Sequence, residues 1–259
     1  MRPQWSLQGR WLALLAVISM VLGGCVTLSL QDEIAGLMKE GQQLYTDKKY
    51  DAAVDKFLVV LTKDPKYWQG YLWAARTYIA KGGWADAIAN GKKAFELAPK
   101  GQDVMPVFAE ALFGGGADAL KNGRFPEAIG MFADYLKLEP GNAKAWLNVG
   151  KAYLGQRQFR EALGAFAQGL SLGTSAERAE LLRGLLDGGK QAFAGGKYDE
   201  AIKLLKEYLK YDKNELSAYL NLAKSYWESG EIAAALDNFR QVLKLDPRDE
   251  EALRYLLRR

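Results

Sequence analysis

Trp146-Leu147-Asn148-Val149-Gly150-Lys151-Ala152-Tyr153 sets an aromatic, an aliphatic three residues on, a glycine beside it and a second aromatic along one stripe of a helix. A short turn at residues 155–158 follows, and then Phe159, Ala162 and Phe166, the last two four apart on a second stripe. Glycine inside a helix costs about 1 kcal/mol relative to alanine. Close approach of a partner helix offsets that cost, and the small Ala162 is expected to sit against Gly150. The unit is therefore two antiparallel helices joined by a small-on-small contact and ringed by aromatics.

The unit recurs. Its second-helix alanine returns at Ala53, Ala87, Ala128, Ala162, Ala201 and Ala235, at intervals of 34, 41, 34, 39 and 34 residues. Three residues before these alanines stand Tyr50, Trp84, Phe125, Phe159, Tyr198 and Ile232. Four residues after them stand Phe57, Gly91, Phe132, Phe166, Leu205 and Phe239. Pro65, Pro99, Pro140 and Pro247 follow four of the alanines by twelve residues, where proline ends the second helix. This period and these places resemble the tetratricopeptide repeat. The resemblance implies an all-α fold, an α-solenoid of six helix–turn–helix repeats wound into a right-handed superhelix.

The copies fall at 34–67, 68–101, 109–142, 143–176, 182–215 and 216–249, with helical pattern beginning at about Ile34. Gly114-Gly115-Gly116 and Gly188-Gly189 stand in the first helices of the third and fifth copies, where bulkier residues are usual, and weaken helix propensity there. The two long intervals read as first helices lengthened by one or two turns. Thr174 with Glu177 makes a capping box ahead of Leu181, Leu182, Leu185 and Leu186. Pro106 opens the other segment, where a first helical turn tolerates it. Residues 115–153 align with 188–226 at an offset of 73, so the copies group as pairs over 34–101, 102–176 and 177–249. A capping helix at 250–259 is expected to cover the last repeat with Leu253, Leu256 and Leu257, leaving Arg254, Arg258 and Arg259 to water.

The first residues read differently. Met1–Gln31 holds no acidic residue, and Trp11–Leu22 is a twelve-residue apolar run broken only by Ser19. That is short of the roughly 20 residues a membrane-spanning helix needs and suits the hydrophobic region of a secretory signal. Leu22-Gly23-Gly24-Cys25 resembles the bacterial lipobox, and Cys25 is the single cysteine of the chain. The resemblance implies a signal peptide at 1–24, a lipid on Cys25 and a short tether at 25–33. Val26 in place of aspartate implies sorting to the outer membrane.

Composition excludes several kinds of chemistry. The chain has no histidine, which removes the commonest metal ligand, the Ser-His-Asp and Cys-His arrangements and the usual proton shuttle. With Cys25 lipidated no thiol is left for a disulfide. Lys and Arg number 35 against 31 Asp and Glu, so no nucleic-acid footprint is expected. No phosphate loop, nucleophile elbow or fixed pair of carboxylates emerges, though Asp118 and Asp187 lie near the glycine-rich helices. The expectation is a protein with no catalytic residues, no metal and no cofactor.

In the tetratricopeptide family the concave wall is lined by first-helix positions two, five, nine and twelve. Carried onto this sequence, the apolar members include Leu72, Phe113, Leu147, Leu154, Phe193, Leu220 and Trp227. The basic members are Arg76, Lys144, Lys151, Arg183, Lys190 and Lys224, a stripe through the second half of the wall. One reading is a groove for a peptide bearing acidic groups or a carboxylate terminus. The other is that the apolar positions are core and the lysines a solvated face. Asn148 and Asn221 match part of a carboxylate clamp, but Leu147 and Lys151 stand where a clamp needs lysine and asparagine.

A lipobox ahead of six such repeats resembles the pilotins, which help a type IV pilus secretin insert and multimerise. That implies a scaffold assisting assembly of an envelope complex, lipid-anchored to the bacterial outer membrane, facing the periplasm and holding a protein partner. Outer-membrane barrel-assembly lipoproteins, polysaccharide-export lipoproteins and cell-wall-hydrolase adaptors share the same plan. A module binding glycan or peptidoglycan through Trp73, Phe193 and Trp227 is a reading of a different class.

Overall fold

The structure is a computed structural model and describes residues 30–257. The signal region and Cys25 lie outside the described residues, as do Arg258 and Arg259. Among the described residues there are thirteen α-helices and no strand. Helix α1 covers 30–46, beginning before Ile34. It is followed by α2 (Tyr50–Lys63), α3 (Trp68–Lys81), α4 (Trp84–Leu97) and α5 (Val104–Lys121). Next come α6 (Phe125–Leu138), α7 (Ala143–Gly155), α8 (Phe159–Leu172) and α9 (Ser175–Ala194). The chain closes with α10 (Tyr198–Leu209), α11 (Leu216–Glu228), α12 (Ile232–Leu245) and α13 (Glu250–Leu257). No described helix is long and apolar enough to cross a membrane.

The described residues form two compact units that divide between Ala111 and Leu112. In each, consecutive helices pack on one another; in the second, α7 also meets α9, α8 meets α10 and α9 meets α11. Among the described residues these packed helices are near neighbours in sequence, which is how repeat proteins build a core.

A left-handed residue turns each first helix into its second. Gly82, Gly123, Gly196 and Gly230 hold φ between 71° and 88° there, and Lys48 and Arg157 hold 60° and 57° at the matching places. Only glycine takes that conformation without steric cost. Between hairpins, Asn142 caps α7 by accepting from the Ala145 N–H at 2.9 Å, while its amide donates to the Tyr135 hydroxyl at 2.8 Å. Glu177 accepts from the Thr174 N–H at 2.8 Å and from its hydroxyl at 2.7 Å, closing the start of α9. These two bonds hold the Glu177 carboxyl below its ordinary value.

The packing rule differs from the small-on-small contact expected above. A Cβ added to Gly150 would meet not Ala162 but the ring of Phe166, 2.6 Å from Cδ1. One added to Gly184, on the next first helix, would lie 2.7 Å from the same ring. Phe166 is fully buried between the two bare backbones. The arrangement repeats sixteen residues apart: Gly41 receives Phe57, Gly116 receives Phe132 and Gly189 receives Leu205. The glycine runs of the third and fifth repeats are therefore where a large side chain is seated. In the second repeat the roles are exchanged: Ala75 stands in the first helix, and the space beside Gly91 is filled by Phe108 of α5.

The last helix also departs from expectation. Ala252 is fully buried and Tyr255 stacks on Phe239 at 4.5 Å, with Leu256 packed beside them. Leu253 is exposed and Leu257 is 80% exposed. The phase of the helix decides this, since 252, 255 and 256 share one stripe while 253 and 257 lie on another.

Candidate functional site

The first-helix wall of the second unit contains a recess of about 500 Å³ between α7 and α9. On α9, Glu180, Arg183, Asp187 and Gln191 follow one another at helical spacing, facing Lys151, Leu154 and Gly155 of α7, and Gly184 keeps the α9 bank low. The extra length of α9 supplies Glu180, and the capping box fixes where that helix starts. Among the described residues, none of the four charged groups has an ion-pair partner within 4.0 Å. A second, smaller recess beside Lys144 and Leu147 is walled by Glu177 and Glu180.

At the equivalent place in two other repeats the cation is neutralised. Arg76 is bound to Asp103 at 2.8 Å and lies over the Trp73 ring at 5.0 Å. Lys224 is bound to Glu251 at 2.9 Å and lies over Phe193 at 5.3 Å. In both pairs the acid stands twenty-seven residues after the base. Twenty-seven residues after Lys151 stands Arg178, so no acid closes the pair there.

The basic positions of the wall are therefore not equivalent. Arg76 and Lys224 act in internal pairs, and the open stretch around Lys144, Lys151, Arg183 and Lys190 carries acids interleaved with the bases. The apolar positions lie mostly in the core. Leu72, Leu147 and Leu154 are buried core residues, the last two reaching only the floors of the recesses. Phe113 is turned edge-on to Phe132 and Tyr135. Leu220 and Trp227 pack against the core beneath the last hairpin.

Nor are the aromatics open platforms. Trp73 is stacked on Phe57 and covered by Arg76, Phe193 meets Tyr198 and Lys224, and Trp227 meets Phe239 and Tyr255. Asp118 is held by Arg124 at 2.6 Å. No group of three or more His, Cys, Asp or Glu among the described residues could hold a metal.

Residues 113–179 and 192–259, together just over half of the chain, match sequence models described as Tetratricopeptide repeat. The chain belongs to the tetratricopeptide-repeat family. No curated protein matches it. Its fold is similar to a solved structure of Naa15/Naa10 bound to HypK-THB, with a TM-score of 0.55 and 16% identity over 90% of this chain and 34% of that one. It is also similar to YrrB, a TPR protein with an unusual peptide-binding site, with a TM-score of 0.44 and 19% identity over 76% and 96% of the two chains. A further likeness is to PilW, a type IV pilus biogenesis factor, with a TM-score of 0.40 and 19% identity over 86% and 98%. At these identities the likeness is one of fold. The function class that goes with the tetratricopeptide repeat is binding of a peptide or protein partner.

Proposed function

We propose that this tetratricopeptide-repeat protein is a lipid-anchored scaffold that holds a protein partner on the α7–α9 recess while an envelope complex assembles. The observation that carries the reading is the failure of the Lys151 pair to close. Two cations and two acids face a recess with no partner among the described residues, whereas the matching cations in the second and sixth repeats are bound internally. Charges of both signs around an apolar floor suit an extended peptide that brings its own acid and base, with main-chain groups for Gln191. The lipobox at Cys25 supports attachment to the outer membrane from the periplasmic side, and the architecture supports the pilotin class first among envelope assembly factors.

The test is a photo-crosslinking side chain at position 191 of the full-length protein in living cells. A single envelope protein should be captured, and Lys151→Glu with Arg183→Glu should abolish its capture without lowering the melting temperature. Capture unaltered by the charge changes would place the partner elsewhere. A secretin subunit as the captured protein would support the pilotin class, and a barrel-assembly, polysaccharide-export or hydrolase subunit would replace it.

A further inference from the structure

The second-helix face of the same unit carries another depression, unlike the recess in every respect. The banks are α6 and α8, the second helices of successive repeats, and the floor is α7. It holds about 650 Å³ and is apolar along its length, with Leu136, Ala165, Trp146, Val149 and Tyr153 among its lining. From Ile129 to Lys137 the α6 bank runs nine residues, about 12 Å end to end at the helical rise. Two turns of a helix span that length.

The ends of the groove differ in charge. Glu161 of α8 stands at one end beside Tyr153. Lys137 of α6 stands at the other beside Trp146, its exposed pair with Asp134 being of the weak kind. At the Lys137 end the buried indole N–H of Trp146 has no acceptor among the described residues.

The α8 bank is also bare. A Cβ added to Gly164, which lines the groove, would meet nothing within 4 Å. It holds no positive φ. Glycine is a poor helix former, and no side chain of this unit uses the space it leaves. A foreign backbone can approach closely there.

We propose that the α6–α8 groove is a second docking site, taking one amphipathic helix of a partner protein. The occupant lays two turns of apolar side chains on Trp146, Val149 and Tyr153, with a basic residue over Glu161 and an acidic residue over Lys137. This site is independent of the recess between α7 and α9.

The probe is a fluorescent helical peptide of about four turns, with leucines alternately three and four apart and with lysine at one end and glutamate at the other. Binding is read by anisotropy on the full chain. Gly164→Arg fills the groove from a position with free space around it, so the melting temperature should hold or rise while affinity falls by about tenfold or more. Glu161→Lys should weaken this peptide and strengthen one with glutamate at both ends. Lys151→Glu with Arg183→Glu should leave binding unchanged. Equal affinity for the parent and Gly164→Arg would overturn the proposal, as would absence of saturable binding to the parent. Self-association of the parent that Gly164→Arg abolishes would overturn it too, by assigning the groove to a second copy of the chain.

Discussion

Phe166 is seated against the bare backbone of Gly150, with no room for a methyl group between them. Gly164, two residues before Phe166 on α8, faces open space. Two helical glycines so close together therefore answer to opposite constraints. Gly150→Leu should lower stability by about 3 kcal/mol through overpacking. Gly164→Ala should raise it by about 0.5–1 kcal/mol through helix propensity alone. Denaturant midpoints of the two variants measure both signs in one experiment.

Arg157 holds φ at +57° in the turn where four other repeats have glycine. A side chain in that region costs roughly 1 kcal/mol. Arg157→Gly should therefore stabilise the fourth repeat by up to about that amount, less the greater freedom glycine has when unfolded. Thermal melting of the variant against its parent tests it, and Lys48→Gly should act in the same direction in the first repeat.

The pair between Lys224 and Glu251 ties α11 to α13, with side chains 22% and 35% exposed. Lys224→Met should cost about 0.5–1 kcal/mol and free the last helix before any other part of the unit. Hydrogen exchange should quicken over 250–257 and stay unchanged over α7 and α8. The effect should shrink as salt is raised.

Glu177 titrates below its ordinary value of 4.5 because the backbone N–H of Thr174, then its hydroxyl, stabilise the carboxylate. A carboxyl depressed by folding contributes stability that is complete above its unfolded value and lost as pH falls through the folded one. The first turn of α9 should fray below about pH 4.5 and Thr174→Ala should shift the onset upward. Amide exchange over 175–178 reports it.

Tyr208 behaves in the opposite sense. Burial foremost, and its hydroxyl's bond to Asp212 at 3.0 Å, raise its ionisation well above 10.0. Stability from this residue is complete below pH 10 and is lost at higher pH. Absorbance titration should show a late tyrosine step above the ordinary range, and Tyr208→Phe should diminish it.

The recurrence of one alanine, with an aromatic before it and a phenylalanine after it, was enough to read helix–turn–helix repeats, because each hairpin's core lies within thirty-four residues. The capping box at Thr174 was legible for the same reason: its partners are three residues apart. The seat of Phe166 was not read, since a stripe shows which residues face a partner helix but not which of them touch. The spacing of sixteen between Gly41 and Phe57, Gly116 and Phe132, and Gly150 and Phe166 carried that information. The closing of Arg76 and Lys224 by acids at or just before the next first helix is not legible within one helix, because base and acid stand twenty-seven residues apart on neighbouring elements. The α6–α8 groove draws its lining from three helices between residues 129 and 168, and no periodicity within one helix points to it.

Phe57, Phe132 and Phe166 are each seated inside their own hairpin or against the next. A fault in one module therefore stays there, and whole hairpins can be gained or lost while half hairpins cannot. Melting should proceed as a sequence of local events, and a chain of this kind can vary one docking surface under selection while the surface behind it stays unaltered.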